Sequence, residues 1–361
     1  MSQRASTQAS AIAEPPLVSV IMPVRNEAGH IEPCLRAVAA QDYPMARLEV
    51  LIADGMSDDG TRARITEFAR TDARVRLIDN PNRIVPTGLN AALRAARGEI
   101  IIRMDAHTEY APDYVRQCVR VLGETGADNV GGAWVATGRS WLQKAIALAF
   151  HSRFASGGAG SHSVAYEGEV DSVYLGCWRK TTLERIGGFD DELVRNQDDE
   201  LCLRLSRAGG KLWQSTAIKS TYFPRASVSA LFRQYAQYGY WKVRVIQKHK
   251  LPASIRHLVP GGFVGSLILL ALASIFSAWA RWALVVLLGT YTLANLVATI
   301  STCARSAATM SFLPVMPLVF IAYHVGYGYG FLRGLIDFVV LRSGGNKKFS
   351  RLTRGQSSAA P

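Results

Sequence analysis

Two residues of types that commonly bind divalent cations lie two positions apart, shortly after an apolar run. The run is formed by the three isoleucines at 100–102, which follow Gly98, and Asp105 and His107 come shortly after it. Consecutive β-branched residues bounded by a glycine predict a short buried strand of a parallel sheet. Side chains two apart on a strand point to the same side, and α/β sheets bind ligands at the carboxyl ends of strands. The spacing therefore predicts a metal site that serves a diphosphate, and an aspartate capping the next turn is the alternative interpretation.

The segment that leads to this pair alternates between strand and helix patterns. Apolar runs predict strands at 17–22, 48–53, 75–78 and 100–102, and helical spacing predicts helices at 31–41, 62–70 and 88–97. Such alternation is typical of a parallel, Rossmann-like sheet, so the predicted fold class is α/β. The carboxyl edge of this sheet would collect a set of charged side chains, namely Arg25, Glu27, Asp54, Arg83 and Asp105.

Composition and missing motifs exclude several function classes. No Gly-x-Gly-x-x-Gly opens the first helix and no Walker A sequence occurs, which argues against a dinucleotide site and against an NTPase. The net charge of +13 comes without an aromatic-studded basic stripe or zinc-finger spacing, so we expect no nucleic acid partner and favour an anionic membrane surface. The five cysteines are scattered, which predicts buried, reduced thiols in a reducing compartment.

Four motifs then occur in a fixed order along the chain. Residues 18–27 read VSVIMPVRNE, residues 54–61 read DGMSDDGT, residues 88–92 read GLNAA, and Asp105-Ala106-His107 follows. In these motifs the chain resembles the nucleotide-sugar-binding half of the family 2 glycosyltransferases. Within that family it is similar to the ExoA-like succinoglycan glucosyltransferases, which have Asp-Ala-His where other members have Asp-x-Asp.

The resemblance implies a GT-A fold with assigned donor residues. By its pattern Pro23, Arg25, Glu27 and Asp54 would line the uridine site, and Arg83 would lie near the diphosphate. Asp105 and His107 would hold the ribose and a divalent metal, Mg²⁺ or Mn²⁺. Loop capping is the alternative for Glu27 and Asp54.

The acceptor side would come from residues 170–205. The pattern VDSVYLG predicts a strand at 170–176, and a helix is expected to open at 177–180; a further helix follows from Gln197. The family's Glu-Asp-x-Asp pattern matches residues 197–200, with Gln197 in place of the first acid, Asp198 at the catalytic position and Glu200 as the second acid. A capped amphipathic helix explains the same acids through the helix dipole. The remaining acceptor-side candidates are Gly176, Trp178 and Arg179.

Inverting glycosyl transfer needs one general base for the acceptor hydroxyl and positive charge on the departing diphosphate. Asp198 would supply the first, and a cation on Asp105 and His107 the second. Processive members carry Gln-x-x-Arg-Trp; here Gln237 and Trp241 match, but Tyr240 replaces the arginine. Trp241 could stack on a sugar, and an interfacial membrane helix fits the segment equally well.

The segment at 149–169 contains His151, Arg153 and His162 among glycines and serines. A lid over the substrates and a plain connecting loop are both compatible with this composition, and His162 receives no role.

Two apolar segments near the C-terminus, at 258–280 and 282–300, are each long enough to cross a bilayer. A third candidate at 312–331 contains prolines and glycines, and Gly326, Gly330 and Gly334 follow the small-x-x-x-small spacing that favours close helix packing. The tail after it is basic and should stay on the cytoplasmic side, so two spans plus a re-entrant or surface segment are favoured over three. Its basic residues are Arg342, Lys347, Lys348, Arg351 and Arg354.

The sequence thus predicts four regions: a disordered lead at 1–16 that is not a signal peptide, a GT-A domain at 17–250, a membrane region of two or three helices at 251–342 and a basic tail at 343–361. The resemblance implies an inverting transferase of the inner membrane, multi-pass and with its catalytic domain in the cytoplasm. Its donor would be a UDP-sugar, with glucose favoured, and its acceptor a saccharide on a polyprenyl diphosphate. Contacts with other polysaccharide-assembly proteins are compatible with this role. A short processive synthase and a non-catalytic nucleotide-sugar-binding protein are the rivals.

Overall fold

The first four strands along the chain lie side by side and parallel in the order β3-β2-β1-β4. The computed structural model describes residues 14–158, 163–252 and 254–350. The elements of this first half are β1 (Val18–Val24), α1 (Ile31–Ala39), β2 (Leu48–Asp54), α2 (Thr61–Thr71), β3 (Val75–Asp79), α3 (Val85–Ala95) and β4 (Ile100–Arg103). The predicted four strands and three helices are confirmed.

Strand β1 is longer than expected, because it continues through Pro23 to Val24. A proline has no N–H to donate, so it is tolerated only where one side of the strand is unpaired. Pairing between β1 and β4 ends where Ile21 faces Arg103, whereas pairing with β2 continues to Asp54. Pro23 therefore lies beyond the end of the β4 pairing.

The second half of the domain extends this sheet and adds a smaller one. Its elements are β5 (Thr108–Tyr110), α4 (Tyr114–Thr125), β6 (Asn129–Gly131), β7 (Val135–Ala136), α5 (Trp141–Phe150), α6 (Arg153–Ser156), β8 (Gly168–Glu169), β9 (Cys177–Arg179), α7 (Lys180–Arg185), α8 (Gln197–Arg207), β10 (Leu212–Gln214) and β11 (Ser220–Tyr222). The main sheet continues as β4-β9-β6-β10-β8, with β9 antiparallel to both neighbours, and the second sheet has the order β5-β11-β7. The sheet is therefore mixed, not parallel throughout.

The prediction of a strand at 170–176 followed by a helix from 177 was wrong. The strand is β9, Cys177–Arg179, and the helix begins only at Lys180. Before it, Leu175 and Gly176 have φ values of 64° and 102°, which break an extended run. A Cβ at Gly176 would lie 2.3 Å from the Trp178 ring, so the turn requires glycine. A strand-like pattern in the sequence does not by itself indicate where the chain turns.

Each face of the main sheet carries its own apolar layer. Helices α1, α2 and α4 cover one face, with Leu35, Ile65 and Val115 buried in that layer. Helices α3, α7 and α8 cover the other, with Leu89 and Leu205 buried there. The five cysteines are free and buried, as expected.

The C-terminal third is helical, and two of its helices are long and apolar enough to cross a membrane by length and composition: Ile255–Ala273 and Ala278–Cys303. Its elements are α9 (Val228–His249), α10 (Val259–Ala273), α11 (Ala278–Cys303), α12 (Ala307–Met310), α13 (Met316–Gly334), which continues as a π-helical turn over Leu335–Val340, and α14 (Lys347–Ser350). Only 11% of the most apolar 18-residue stretch of each of these helices is buried. Apolar side chains such as Phe276 and Trp279, at the turn between the helices, are exposed.

The third apolar segment behaves differently, because α13 packs along α9 with its glycines at the contact. A Cβ at Gly330 would lie 1.9 Å from the Ala236 carbonyl oxygen, and one at Gly334 would lie 2.7 Å from that of Tyr240. The close packing predicted from the glycine spacing is confirmed, and its partner is α9.

The end of the described chain folds back onto α9. The ring of Phe349 stacks on Tyr240 with centroids 4.3 Å apart, and its carbonyl accepts a 3.1 Å hydrogen bond from Trp241 Nε1. The backbone N–H of Asn346 donates to Tyr240 Oη. The basic tail is thus anchored beside the catalytic domain as far as Ser350, and Arg351 and Arg354 lie outside the described residues.

Candidate active site

A cavity of about 790 Å³ lies between the two halves of the domain. The residues predicted from the sequence that line it are Pro23, Arg25, Glu27, Arg83, Asp105, His107 and Asp198. Strand ends supply its first side: Arg25 follows β1, Arg83 follows β3 and Asp105 follows β4. Parallel strands place their carboxyl ends at one edge, which explains why residues far apart in sequence meet here.

On this donor side, Arg25 contacts the backbone of the loop that follows β3. Arg25 Nη1 donates a 3.4 Å hydrogen bond to the carbonyl oxygen of Arg83. A Cβ at Gly55 would lie 3.2 Å from the Arg25 side chain, so glycine makes room for the arginine after β2. Two guanidinium groups thus flank the loops at the strand ends, where a diphosphate could bind.

Asp54 does not line the cavity. It is fully buried, its Oδ1 accepts a 2.5 Å hydrogen bond from Ser57 Oγ, and its Oδ2 lies 3.3 Å from Arg62 Nη1. These contacts hold the loop between β2 and α2, as the loop-capping alternative expects.

Asp105 and His107 both reach the cavity, and each contacts a charged neighbour. Both Asp105 oxygens accept from Arg103, at 3.1 Å from Nε and 3.3 Å from Nη2. His107 Nδ1 lies 3.5 Å from Glu27 Oε1. Burial lowers the pKa of the Arg103 guanidinium, but the carboxylates of Asp105 and Asp198 outweigh that effect and raise the pKa. Arg103 therefore stays charged between two acids, a role that the sequence analysis missed.

The donor set here fits a divalent ion that takes most of its ligands from a substrate. In the described part of the chain, no cluster of three or more His, Cys, Asp or Glu side chains could hold a metal alone. Mg²⁺ is usually bound through one or two carboxylates plus substrate phosphates and water. Asp105 and His107, with Glu27 beside them, would likewise supply only a few protein ligands to the ion. The imidazole of His107 suits Mn²⁺ as well.

Asp198 lines the opposite side of the cavity, in the first turn of α8. Burial and the neighbouring Asp199 raise the pKa of its carboxyl, and Arg103 opposes that shift. A carboxylate with a raised pKa is a better general base near neutral pH. Asp199 in turn pairs with Lys242 of α9 at 2.5 Å, a contact that no local pattern indicated.

The other acceptor-side candidates lie outside the cavity. Glu200 is 3% exposed and binds Arg204 and His249. Gly176 forms the turn before β9, Trp178 is buried in the core, and Arg179 donates to backbone carbonyls.

The two family-motif matches on α9 are also buried. Trp241 is 4% exposed behind Phe349, and Gln237 Oε1 accepts from Arg195. Stacking of Trp241 on a sugar is therefore not supported by the geometry, because the ring is covered by the C-terminal segment.

An aromatic wall and two further arginines complete the acceptor side. Trp134 and Tyr174 stack with centroids 4.8 Å apart, and Tyr222 packs edge-on against Trp134 at 5.3 Å. These rings line the cavity together with Arg195, Arg225 and Tyr238. Aromatic faces suit the C–H surfaces of sugars. No sequence pattern marked this group, because its members come from separate loops, from β11 and from α9 and carry no shared spacing.

The segment predicted as a lid or a loop is partly described. It contains α6 and β8, and His151 Nε2 accepts a hydrogen bond from the backbone N–H of Ala136 at 3.0 Å. His162 lies outside the described residues.

Comparisons with known proteins identify the family. A family model described as glycosyl transferase family 2 matches residues 19–175. The chain is 32% identical to the succinoglycan biosynthesis protein ExoA of Rhizobium meliloti, over 88% of this chain and 95% of that protein. It is 28% identical to a dolichyl N-acetyl-alpha-D-glucosaminyl phosphate 3-beta-D-2,3-diacetamido-2,3-dideoxy-beta-D-glucuronosyltransferase of Methanococcus voltae, over 88% and 97%.

A solved structure shows the same fold. The mannosyltransferase PcManGT from Pyrobaculum calidifontis, in complex with GDP-Man and Mn²⁺, superposes with a TM-score of 0.56 and 23% identity, covering 87% of this chain and 88% of that one. The predicted GT-A fold is confirmed.

Proposed function

The chain belongs to glycosyltransferase family 2, and within that family we propose that it transfers a sugar from a UDP-sugar to a saccharide on a polyprenyl diphosphate. Glucose is the proposed sugar, and biosynthesis of an exported polysaccharide is the proposed setting. The similarity to a succinoglycan biosynthesis protein over nearly the whole chain supports the setting, and the choice of glucose rests on the resemblance to the ExoA-like glucosyltransferases.

One observation carries the catalytic part of the proposal. A single cavity brings Asp198, with its raised pKa, together with Arg83, Asp105 and His107 from the strand ends. General base and diphosphate-binding groups thus face one space large enough for a sugar.

The proposed reaction is a single displacement. Asp198 takes the proton of the acceptor hydroxyl as that oxygen forms a bond to the anomeric carbon. The bond from this carbon to the diphosphate oxygen breaks on the opposite side, so the anomeric configuration inverts. Arg25 and Arg83 stabilise the negative charge that develops on the diphosphate. A bound Mg²⁺ or Mn²⁺, held by Asp105 and His107, would add positive charge at the same oxygens.

Location at the inner membrane is the second part of the proposal. Helices α10 and α11 would form a hairpin across the bilayer, since both are apolar and exposed. The chain then returns to α9, where Phe349 stacks on Tyr240. Two crossings leave the catalytic domain and the basic tail on the same, cytoplasmic side, which agrees with the positive-inside rule.

A transfer assay tests the catalytic part. Membranes that contain the protein are incubated with a panel of labelled UDP-sugars and polyprenyl diphosphate saccharides, and transfer from UDP-glucose to the lipid fraction is expected. If only a GDP- or dTDP-sugar served, the donor assignment would be wrong.

Cysteine labelling in the full-length chain tests the topology. Ser277→Cys, between the two spans, should react with an impermeant maleimide in intact cells, whereas Lys348→Cys should react only after permeabilisation. The five native cysteines are buried and give a low background. Labelling of position 348 in intact cells would rule out the two-span arrangement.

A further inference from the structure

The cavity is lined by more cationic side chains than acidic ones. Three acids face it, namely Glu27, Asp105 and Asp198. Six cationic side chains line the same space, namely Arg25, Arg83, Arg103, Arg195, Arg225 and Lys347. A surplus of arginines inside a cavity indicates that a second anion binds there.

Arg195 and Arg225 are separate from the donor side. Arg195 lies just before α8, and Arg225 lies between β11 and α9, so neither follows a strand of the parallel half. Both contact α9, the helix that leads into the first candidate membrane span. An anion bound by these two arginines would therefore lie on the side of the cavity that continues towards the membrane.

Buried glutamines of α9 orient both guanidinium groups. Arg195 Nε donates to Gln237 Oε1 at 3.0 Å, and Arg225 Nε donates to Gln234 Oε1 at 3.2 Å. The glutamines are 4% and 6% exposed, respectively. Fixing a guanidinium through Nε sets the direction of its two Nη nitrogens, the atoms with which arginine binds phosphate oxygens.

The glutamine that holds Arg225 is itself fixed by aromatic hydroxyl groups. Gln234 Nε2 donates to Tyr222 Oη at 3.2 Å and to Tyr238 Oη at 2.8 Å. Asn196, next to Arg195, donates to the carbonyl oxygen of Tyr238. Buried networks of this kind hold charged groups in one geometry. The two arginines are thus part of a built site and not mobile surface cations.

This site lies close to the proposed general base. Burial raises the pKa of Tyr238 to about 12, Arg225 and Arg195 oppose that shift, and Asp198 adds to it. All three charged groups line the same cavity as this phenol. An anion at the two arginines would be near the acceptor hydroxyl that Asp198 deprotonates.

We propose that Arg195 and Arg225 form a second anion site, which binds the diphosphate of the acceptor's lipid carrier. This inference rests on the proposed function for the identity of the acceptor. It assigns Gln234 and Gln237 as positioning residues that orient the two guanidinium groups. The carrier's hydrocarbon chain would then leave the cavity along α9 towards the bilayer.

A binding experiment without turnover tests the site. The purified full-length protein is titrated with a short-chain prenyl diphosphate in the presence of UDP, and separately with UDP alone. Arg195→Met and Arg225→Met should each weaken prenyl diphosphate binding about tenfold or more and leave UDP binding unchanged. Arg83→Gln should weaken UDP binding instead. Arg120→Gln removes an exposed arginine of α4 and should change neither affinity.

Three results would overturn the proposal. Equal binding of the prenyl diphosphate by the wild-type protein and both methionine variants would show that Arg195 and Arg225 do not form this site. A loss of UDP affinity as large as that of Arg83→Gln would assign the arginines to the donor. Inorganic pyrophosphate that binds as tightly as the prenyl form would indicate a free pyrophosphate site without a lipid.

Two further measurements keep the result interpretable. Arg195→Lys and Arg225→Lys retain the charge and should keep part of the affinity, and thermal unfolding of every variant shows whether the fold is intact. Because the readout is binding, a lack of sugar transfer from UDP-glucose would refute the proposed function and leave this result standing.

Discussion

The donor side and the acceptor side of the cavity are built in different ways. Loops at the carboxyl ends of parallel strands supply the donor side. Arg25 follows β1, Arg83 follows β3 and Asp105 follows β4. The acceptor side is assembled from the start of α8, the loop before α9 and the C-terminal segment, with α9 behind them. The first side depends on local turns, and the second depends on how helices pack.

This difference explains which residues line the cavity. Glu200 and Trp241 match family positions, yet Glu200 is held by Arg204 and Trp241 is covered by Phe349. Arg195 and Arg225 match no motif, yet both line the cavity. A side chain on a packed helix, even at a motif position, lines the cavity only if the neighbouring elements do not cover it.

The largest expected effect concerns the acceptor side. Asp198→Asn removes the general base and should lower kcat about a thousandfold. UDP-sugar affinity, measured by titration, should change little because the donor side is intact. Asp199→Asn is the control next to it, and it should retain far more activity. Near-normal turnover by Asp198→Asn would refute the assignment of the base.

A second prediction separates the two sides through helix packing. Gly330→Leu places a side chain where even a Cβ would lie 1.9 Å from the Ala236 carbonyl oxygen, so α13 must move away from α9. We expect a loss of about 3 kcal/mol of stability, seen as a lower melting temperature, with acceptor binding lost before UDP binding. Gly289→Leu on α11 meets open space and is the matched control. Equal loss of both affinities would contradict the comparison.

Arg103 links the two sides, and its removal should change the pH profile. Arg103→Met takes away the cation that lowers the pKa of Asp198, so that pKa rises further. Asp198 acts as a carboxylate, and activity disappears as the pH falls through its pKa. The acid limb of kcat against pH should therefore move to higher pH, with a loss of about tenfold or more at neutral pH. Arg103→Lys should keep the limb near its original position, and an unmoved limb in the methionine variant would contradict the link.

The smallest effect is expected at Trp241. Trp241→Phe loses the hydrogen bond to the Phe349 carbonyl, which should cost about 1 kcal/mol of stability. The acceptor KM should stay unchanged because the ring is buried. A markedly raised acceptor KM at normal stability would show that Trp241 contacts the sugar after all.

The sequence by itself determined the donor half of this protein. Alternating strand and helix patterns predicted β1 to β4 with α1 to α3, and the polar residues after β1, β3 and β4 marked the edge of the site. The reason is physical: parallel strands place their carboxyl ends together, so strand order alone brings Arg83 and Asp105 to one edge. The spacing of Gly326, Gly330 and Gly334 likewise predicted a close helix contact.

Apart from Asp198, which the family pattern predicted, only the tertiary structure decided the acceptor half. The turn at Leu175 and Gly176, which moved the strand to Cys177–Arg179, depends on strand pairing on both sides and on the Trp178 ring. Arg195 and Arg225 reach the site through glutamines on α9, and the tail reaches it through Phe349 on Tyr240. Such contacts join residues about 10 to more than 100 positions apart, and no local spacing encodes them.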